Sequence, residues 1–173
     1  MAKLILVSGP NNSGKSRYAE QLVAQTTGSR FYIATMRPCT EQNHRRIQKH
    51  RQQRSGLAFQ TLECPNQVGD ASVLPDSVVL LEDVSNLLAN AMFEKGRTAS
   101  QVFDDICALA DRCRLLAAVT IAGLEGRGYD SQTAAYIDAL NELNGLLFEK
   151  ADAAIAMQNN TPICQKGDIH DLI

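Results

Sequence analysis

Gly9-Pro10-Asn11-Asn12-Ser13-Gly14-Lys15-Ser16 fits the pattern G-x-x-x-x-G-K-[ST], which restricts the surrounding fold more than any other stretch of the chain. The pattern has meaning only with a strand before it and a helix after it. Both are expected here: Lys3-Leu4-Ile5-Leu6-Val7-Ser8 is an apolar run of strand length, and a helix-like run opens near Lys15. Glycines let the backbone curl until successive N–H groups point inward, and the helix N-terminus adds partial positive charge, so such a loop cradles phosphate. Lys15 would reach the β- and γ-phosphates, and Ser16 would hold Mg²⁺. The expected ligand is GTP or ATP, bound along Gly9, Pro10, Asn11, Asn12, Ser13, Gly14, Lys15 and Ser16.

Further apolar runs of buried-strand type follow at Arg30–Thr35, Ser77–Glu82, Leu115–Ala122 and Asp152–Gln158. Between them lie segments of helical period. In Ser100–Arg114 the apolar residues Val102, Ile106, Leu109 and Cys113 recur at three- and four-residue spacing, and Asp130–Lys150 carries Ile137, Leu140, Leu143, Leu147 and Phe148. Alternating strand and helix predicts an α/β fold of the P-loop type, a three-layer sandwich around a mostly parallel sheet, with ligands at the carboxyl ends of the strands. Ser55–Leu74 reads as the least regular part, interrupted by Gly56, Pro65 and Gly69. No repeat or linker divides the 173 residues, a length that suits one domain with a sizeable core.

The strand Val78-Val79-Leu80-Leu81 ends in Glu82-Asp83. A carboxylate at that point can hold Mg²⁺ opposite Ser16, directly or through water, and both acids are candidates. The run His44-Arg45-Arg46-Ile47-Gln48-Lys49-His50-Arg51-Gln52-Gln53-Arg54 holds two of the three histidines. On a helix Arg46, His50 and Arg54 fall one turn apart on one side. Such a run reads as a solvated basic helix, or as a cationic face aimed at phosphates with a histidine as base or nucleophile. Neighbouring cations would depress the imidazole pKa and keep the ring neutral, as nucleophilic attack requires.

A net charge of −2 and the lack of aromatic residues among these cations argue against nucleic acid as a partner. Five cysteines without C-x-x-C spacing read as free thiols in a reducing compartment. The apolar run after Met1 is short for a secretion signal and nothing approaches a membrane span, so a cytoplasmic protein is expected.

Together these segments resemble the bifunctional adenosylcobinamide kinase / adenosylcobinamide-phosphate guanylyltransferase family. The resemblance rests on Leu4–Gly9 leading into Ser13-Gly14-Lys15-Ser16-Arg17-Tyr18-Ala19-Glu20, then Tyr32-Ile33-Ala34-Thr35, Arg46-Ile47-Gln48-Lys49-His50-Arg51 with Arg54, Thr61-Leu62-Glu63, and Leu80-Leu81-Glu82 with Asn90. It implies that His50 is the nucleophile that takes GMP from GTP, and that adenosylcobinamide phosphate then accepts the GMP. It also implies phosphorylation of adenosylcobinamide's hydroxyl by ATP or GTP, with Lys15, Ser16 and the Glu82 region neutralising charge. By the same resemblance Arg46, Arg54 and Glu63 would join the nucleotide-contacting set, and the expected partners are a corrinoid, the nucleotide and further copies of the chain in a homotrimer.

The second half departs from that family. Gly123-Leu124-Glu125-Gly126-Arg127-Gly128 lacks the usual Asn-Glu pair, and Tyr136-Ile137-Asp138 lacks an arginine, whereas Asn144 and Ala151-Asp152 still match. Asp83 stands where cysteine is common, and Pro10 and Asn12 where glycine and arginine are usual. Two rival readings follow. One is a P-loop kinase for another small molecule with no covalent GMP, and the other is a nucleotide-binding protein that has lost turnover.

Overall fold

A computed structural model describes residues 2–173. The elements run β1 (Lys3–Gly9), α1 (Lys15–Ala24), β2 (Arg30–Ala34), α2 (Glu41–Gln53), β3 (Phe59–Glu63), β4 (Val78–Glu82), α3 (Val84–Lys95), α4 (Ala99–Ala110), β5 (Leu115–Ile121), α5 (Ser131–Lys150), β6 (Ala153–Gln158) and β7 (Thr161–Lys166), then a 3-10 turn at Ile169–Asp171. All the strands join one sheet in the order β3-β2-β4-β5-β1-β6-β7, parallel except for the β6–β7 pair. This is the predicted α/β architecture.

Side chains alternate across the pleat and so divide the core in two. Leu4, Leu6, Ile33, Leu81, Leu116 and Ala118 pack under α3, α4 and α5 through Leu88, Ile106, Leu140, Leu143 and Leu147. Ile5, Val7, Tyr32, Leu80, Ala117 and Val119 face α1 through Ala19, Leu22 and Val23. Burial on both faces explains why these strands read as unbroken apolar runs. Helices α2 to α5 start where a side chain satisfies free N–H groups. Thr40 accepts from Asn43 N, Asp83 from Asn86 N, Asp130 from Thr133 N, and Thr98 forms a reciprocal box with Gln101.

The register decides what meets at the carboxyl edge. Ala34 lies beside both Glu82 and Glu63, Glu82 beside Val119, and Gly9 beside Ile121. The phosphate loop, the acid of β4 and the entry to α2 therefore open on the same side.

Two strands lie where none was expected. β3 occupies part of the stretch read as irregular, and β7 returns antiparallel from β6 across Asn159-Asn160. Both asparagines have positive φ, 48° and 62°, as a two-residue hairpin turn of this hand requires. The helix expected over Ser100–Arg114 ends at Ala110, and Cys113 is buried just beyond it.

Candidate functional site

The loop after β1 is shaped by backbone needs before any ligand enters. Gly14 has φ 84° and caps α1, and among the described residues no side chain takes the first N–H groups of that helix. A Cβ on Gly9 would lie 2.5 Å from Ser13 Oγ and 2.9 Å from the Met157 carbonyl oxygen, so only glycine fits there. Asn12 adopts φ 58°, a conformation that asparagine tolerates better than most residues. The hairpin tip braces the loop from outside, with Asn160 N donating to Ser13 O at 3.1 Å. Lys15 is 7% exposed and its Nζ donates to Pro10 O at 3.2 Å. Burial pulls its pKa below the ordinary lysine value, while Glu82 and Asp83 oppose the shift.

Opposite the loop, the two acids of β4 take different parts. Ser16 Oγ donates to Glu82 Oε1 at 2.6 Å, and Glu82 Oε2 is buried with no protein partner. Asp83 instead accepts from Asn86 N at 2.7 Å and Ser85 Oγ at 2.9 Å as the cap of α3. The geometry thus singles out Glu82 as the partner of Ser16. Thr35 fastens the two strand ends: its Oγ1 accepts from Asp83 N at 2.9 Å, and Asn90 Nδ2 donates to its carbonyl at 2.9 Å.

Burial first, then the charge of Asp83, pushes the Glu82 carboxyl up to about 8, with the Ser16 hydrogen bond pulling the other way. A folded-state value above the unfolded 4.5 means that the native protein holds a proton the unfolded chain releases. This contribution to stability is complete below pH 4.5 and is lost as pH rises toward about 8. Glu82→Gln should therefore raise the thermal stability of the metal-free protein at pH 8 by on the order of 1–4 kcal/mol. It should not do so at pH 4. Melting curves in chelator across that range check the sign, and an equal effect at both ends would contradict it.

The basic wall is α2. Arg54, just past its end, is 8% exposed and stacks 3.6 Å over the Tyr32 ring, which in turn meets Phe59 edge-on at 6.0 Å. His50 is half-buried and its Nδ1 is buried without a partner. Burial lowers the imidazole pKa most, followed by the Arg54 charge, and Arg46 and Lys49 add to the effect against Asp83. The expected direction holds, but desolvation outweighs the cations.

These elements enclose a cavity of about 480 Å³. Asn11, Lys15 and Ser16 border it from the loop, Arg46 and His50 from α2, Arg54 from just past that helix, and Glu63, Glu82 and Asp83 from the strand ends. Gly9, Pro10, Asn12, Ser13 and Gly14 shape the loop without bordering the cavity, and Arg17 is exposed. Sequence reading missed Arg37, Ser85 and Asn86 on its wall, and His44 of the basic run also borders it. It also did not anticipate that Tyr136 borders the cavity, with its hydroxyl donating to Ser85 O at 3.0 Å. Ile137, where an arginine was expected, is buried and does not border the cavity. A second, more open hollow of about 510 Å³ is lined by Arg51, Gly56 and Phe59 among others. It holds no residue of the phosphate loop and neither acid of β4, so the first cavity is the candidate site.

Comparison with known proteins adds independent findings. The sequence profile of the family described as cobinamide kinase / cobinamide phosphate guanyltransferase matches residues 5–164. The bifunctional adenosylcobalamin biosynthesis protein CobU of Escherichia coli (strain K12) is 36% identical over 96 residues, 54% of this chain. Its counterpart in Salmonella typhimurium (strain LT2) is 34% identical over the same length, and each match spans 52% of the relative. Among solved structures, an ATPase from the type III secretion system of pathogenic bacteria superposes with a TM-score of 0.58 at 10% identity, over 97% of this chain and 55% of that one. A protein of Pyrococcus horikoshii OT3 gives 0.56 at 9% identity, over 98% of this chain and 89% of its own. At such identities these structures speak for the fold alone.

Proposed function

Because this chain belongs to the cobinamide kinase / cobinamide phosphate guanyltransferase family, we propose that it phosphorylates adenosylcobinamide and then transfers GMP to the product through a covalent histidine intermediate. The observation that carries this reading is the convergence of Lys15, Ser16, Glu82 and His50 on one cavity. In the kinase step the acceptor hydroxyl attacks the γ-phosphorus of ATP or GTP, loses its proton, and displaces the nucleoside diphosphate. In the guanylyl step the unprotonated nitrogen of neutral His50 attacks the α-phosphorus of GTP. The bond to the bridging oxygen breaks and pyrophosphate leaves. A phosphate oxygen of adenosylcobinamide phosphate then attacks the same phosphorus, the P–N bond breaks, and His50 returns to its neutral form.

Mg²⁺ suits the residues present. Ser16 Oγ and Glu82 are paired at 2.6 Å, and the second Glu82 oxygen is buried with no protein partner, which is a hard-oxygen donor set. Among the described residues no three His, Cys, Asp or Glu side chains gather as a metal cage. Bound there, the ion would neutralise phosphate charge, and Lys15 supplies the complementary cation of the chain. Among the described residues no helix is long and apolar enough to cross a membrane.

The reading is tested by supplying adenosylcobinamide with Mg·ATP and, separately, with Mg·GTP, and weighing the corrinoid products. Gain of one phosphoryl group with either nucleotide, followed by gain of GMP with GTP alone, is the expected outcome. Bound nucleotide with an unchanged corrinoid would contradict it.

A further inference from the structure

α2 carries the proposed nucleophile but buries none of its own residues. Its body is held by few polar contacts. Asn43 Nδ2 donates to Arg37 O at 3.0 Å near its start, Arg51 lies 3.8 Å from Glu63, and Gln53 Nε2 donates to Glu20 Oε2 at 2.5 Å near its end. Among the described residues the last is the one hydrogen bond from an α2 side chain to another helix. Glu20 lies on α1, in the turn after Lys15 and Ser16, and is 1% exposed. Its Oε1 is buried with no hydrogen-bond partner. A carboxylate rarely occupies such a place without a task, because burying a charge is costly unless it is compensated. The neighbouring compensation is all on the histidine side of the molecule, from Gln53 and the charge of Arg54.

We infer that Glu20 is a positioning residue, which couples the phosphate-loop helix to the histidine helix and fixes His50 relative to a bound triphosphate. The inference rests on the reading of His50 as the GMP acceptor. Glu20 touches no reacting atom; it acts through Gln53 and the turn that presents Arg54. Arg54 N donates to His50 O at 3.1 Å, so the last turn carrying the imidazole is the one that Glu20 fastens. An offset of about 1 Å at a reacting group can cost about a hundredfold in rate, so a contact remote from phosphorus can govern the transfer.

The test compares Glu20→Ala, Gln53→Ala, the double variant and Glu20→Gln in two measurements. The first is the single-turnover rate of GMP loading from Mg·GTP, with nucleotide affinity recorded beside it. Each alanine variant should lose at least about tenfold in rate with affinity held within about twofold, the double variant should be no slower than the worse single, and Glu20→Gln, which keeps an acceptor for Gln53, should recover most of the rate. The second is the NMR titration of His50, readily assigned in a chain with three histidines. Its midpoint should rise in the alanine variants, as the ring loses its enclosed setting beside Arg54, and stay near wild type in Glu20→Gln. Multiplicative losses in the double variant, or alanine variants with wild-type rate and wild-type His50 midpoint, would overturn the inference. If the wild-type protein takes no GMP at all, the reading of His50 as acceptor fails, and the titration still decides whether Glu20 positions it.

Discussion

Lys15→Ala is expected to slow both transfer reactions by about a hundred- to a thousandfold while leaving the fold intact. Lys15 is 7% exposed, and among the described residues no carboxylate lies within ion-pair distance of it; the Pro10 carbonyl is its partner. A cation held in that way, beside a loop whose helix N–H groups no side chain caps, is arranged for an anion the protein does not itself supply. Its removal takes charge stabilisation from the transition state and simultaneously relieves a buried ammonium. The melting temperature without nucleotide should therefore hold or rise as turnover collapses. Steady-state rates beside a melting curve check the pair of signs. A variant that keeps more than about a tenth of wild-type rate, or one that is slow only because it is unfolded, would contradict the role given to Lys15.

The second large effect concerns the protonation of His50. Only the neutral ring can attack phosphorus, and burial with the Arg54 charge sets its pKa below the ordinary value of about 6.5. The sign follows directly: GMP loading should stand on its plateau at pH 7 and fall about tenfold per pH unit only below a midpoint more acidic than 6.5. Arg54→Gln removes the second cause of the depression and should move that midpoint upward. Loading rates measured from pH 5 to 8 by rapid quench, in both proteins, test this. A wild-type midpoint at or above 6.5, or one that Arg54→Gln lowers, would contradict the account.

Much of this site was legible before any coordinates. Gly9–Ser16 and the run ending at Glu82 announce themselves because a parallel strand buried on both faces must be continuously apolar, and because its polar terminus then stands out. β3 hid for the opposite reason: Phe59-Gln60-Thr61-Leu62-Glu63 forms a sheet edge with three exposed residues, and it offers no apolar run. β7 is more exposed still, though Asn159-Asn160 was a hairpin signal that could have revealed it. The histidine helix was visible as a basic face, but the setting of His50 was not. Its desolvation comes from the fold around a helix none of whose residues is fully buried, and its strongest charged neighbour, Arg54, is held by Tyr32 of β2. The division between Glu82 and Asp83 likewise needed the cap of α3 to be seen. Glu20 gives no sign in the sequence, since one acid among the polar residues of α1 looks like solvent-facing surface until its burial is known.

Intact-protein mass spectrometry after incubation with Mg·GTP, kept neutral or alkaline to preserve a phosphoramidate, addresses the central claim most directly. The wild-type protein should gain the mass of one GMP and His50→Ala should gain nothing, with both shown to bind nucleotide. Absence of the adduct in the wild type, or its persistence in His50→Ala, would contradict the assignment of His50 as the group that carries GMP.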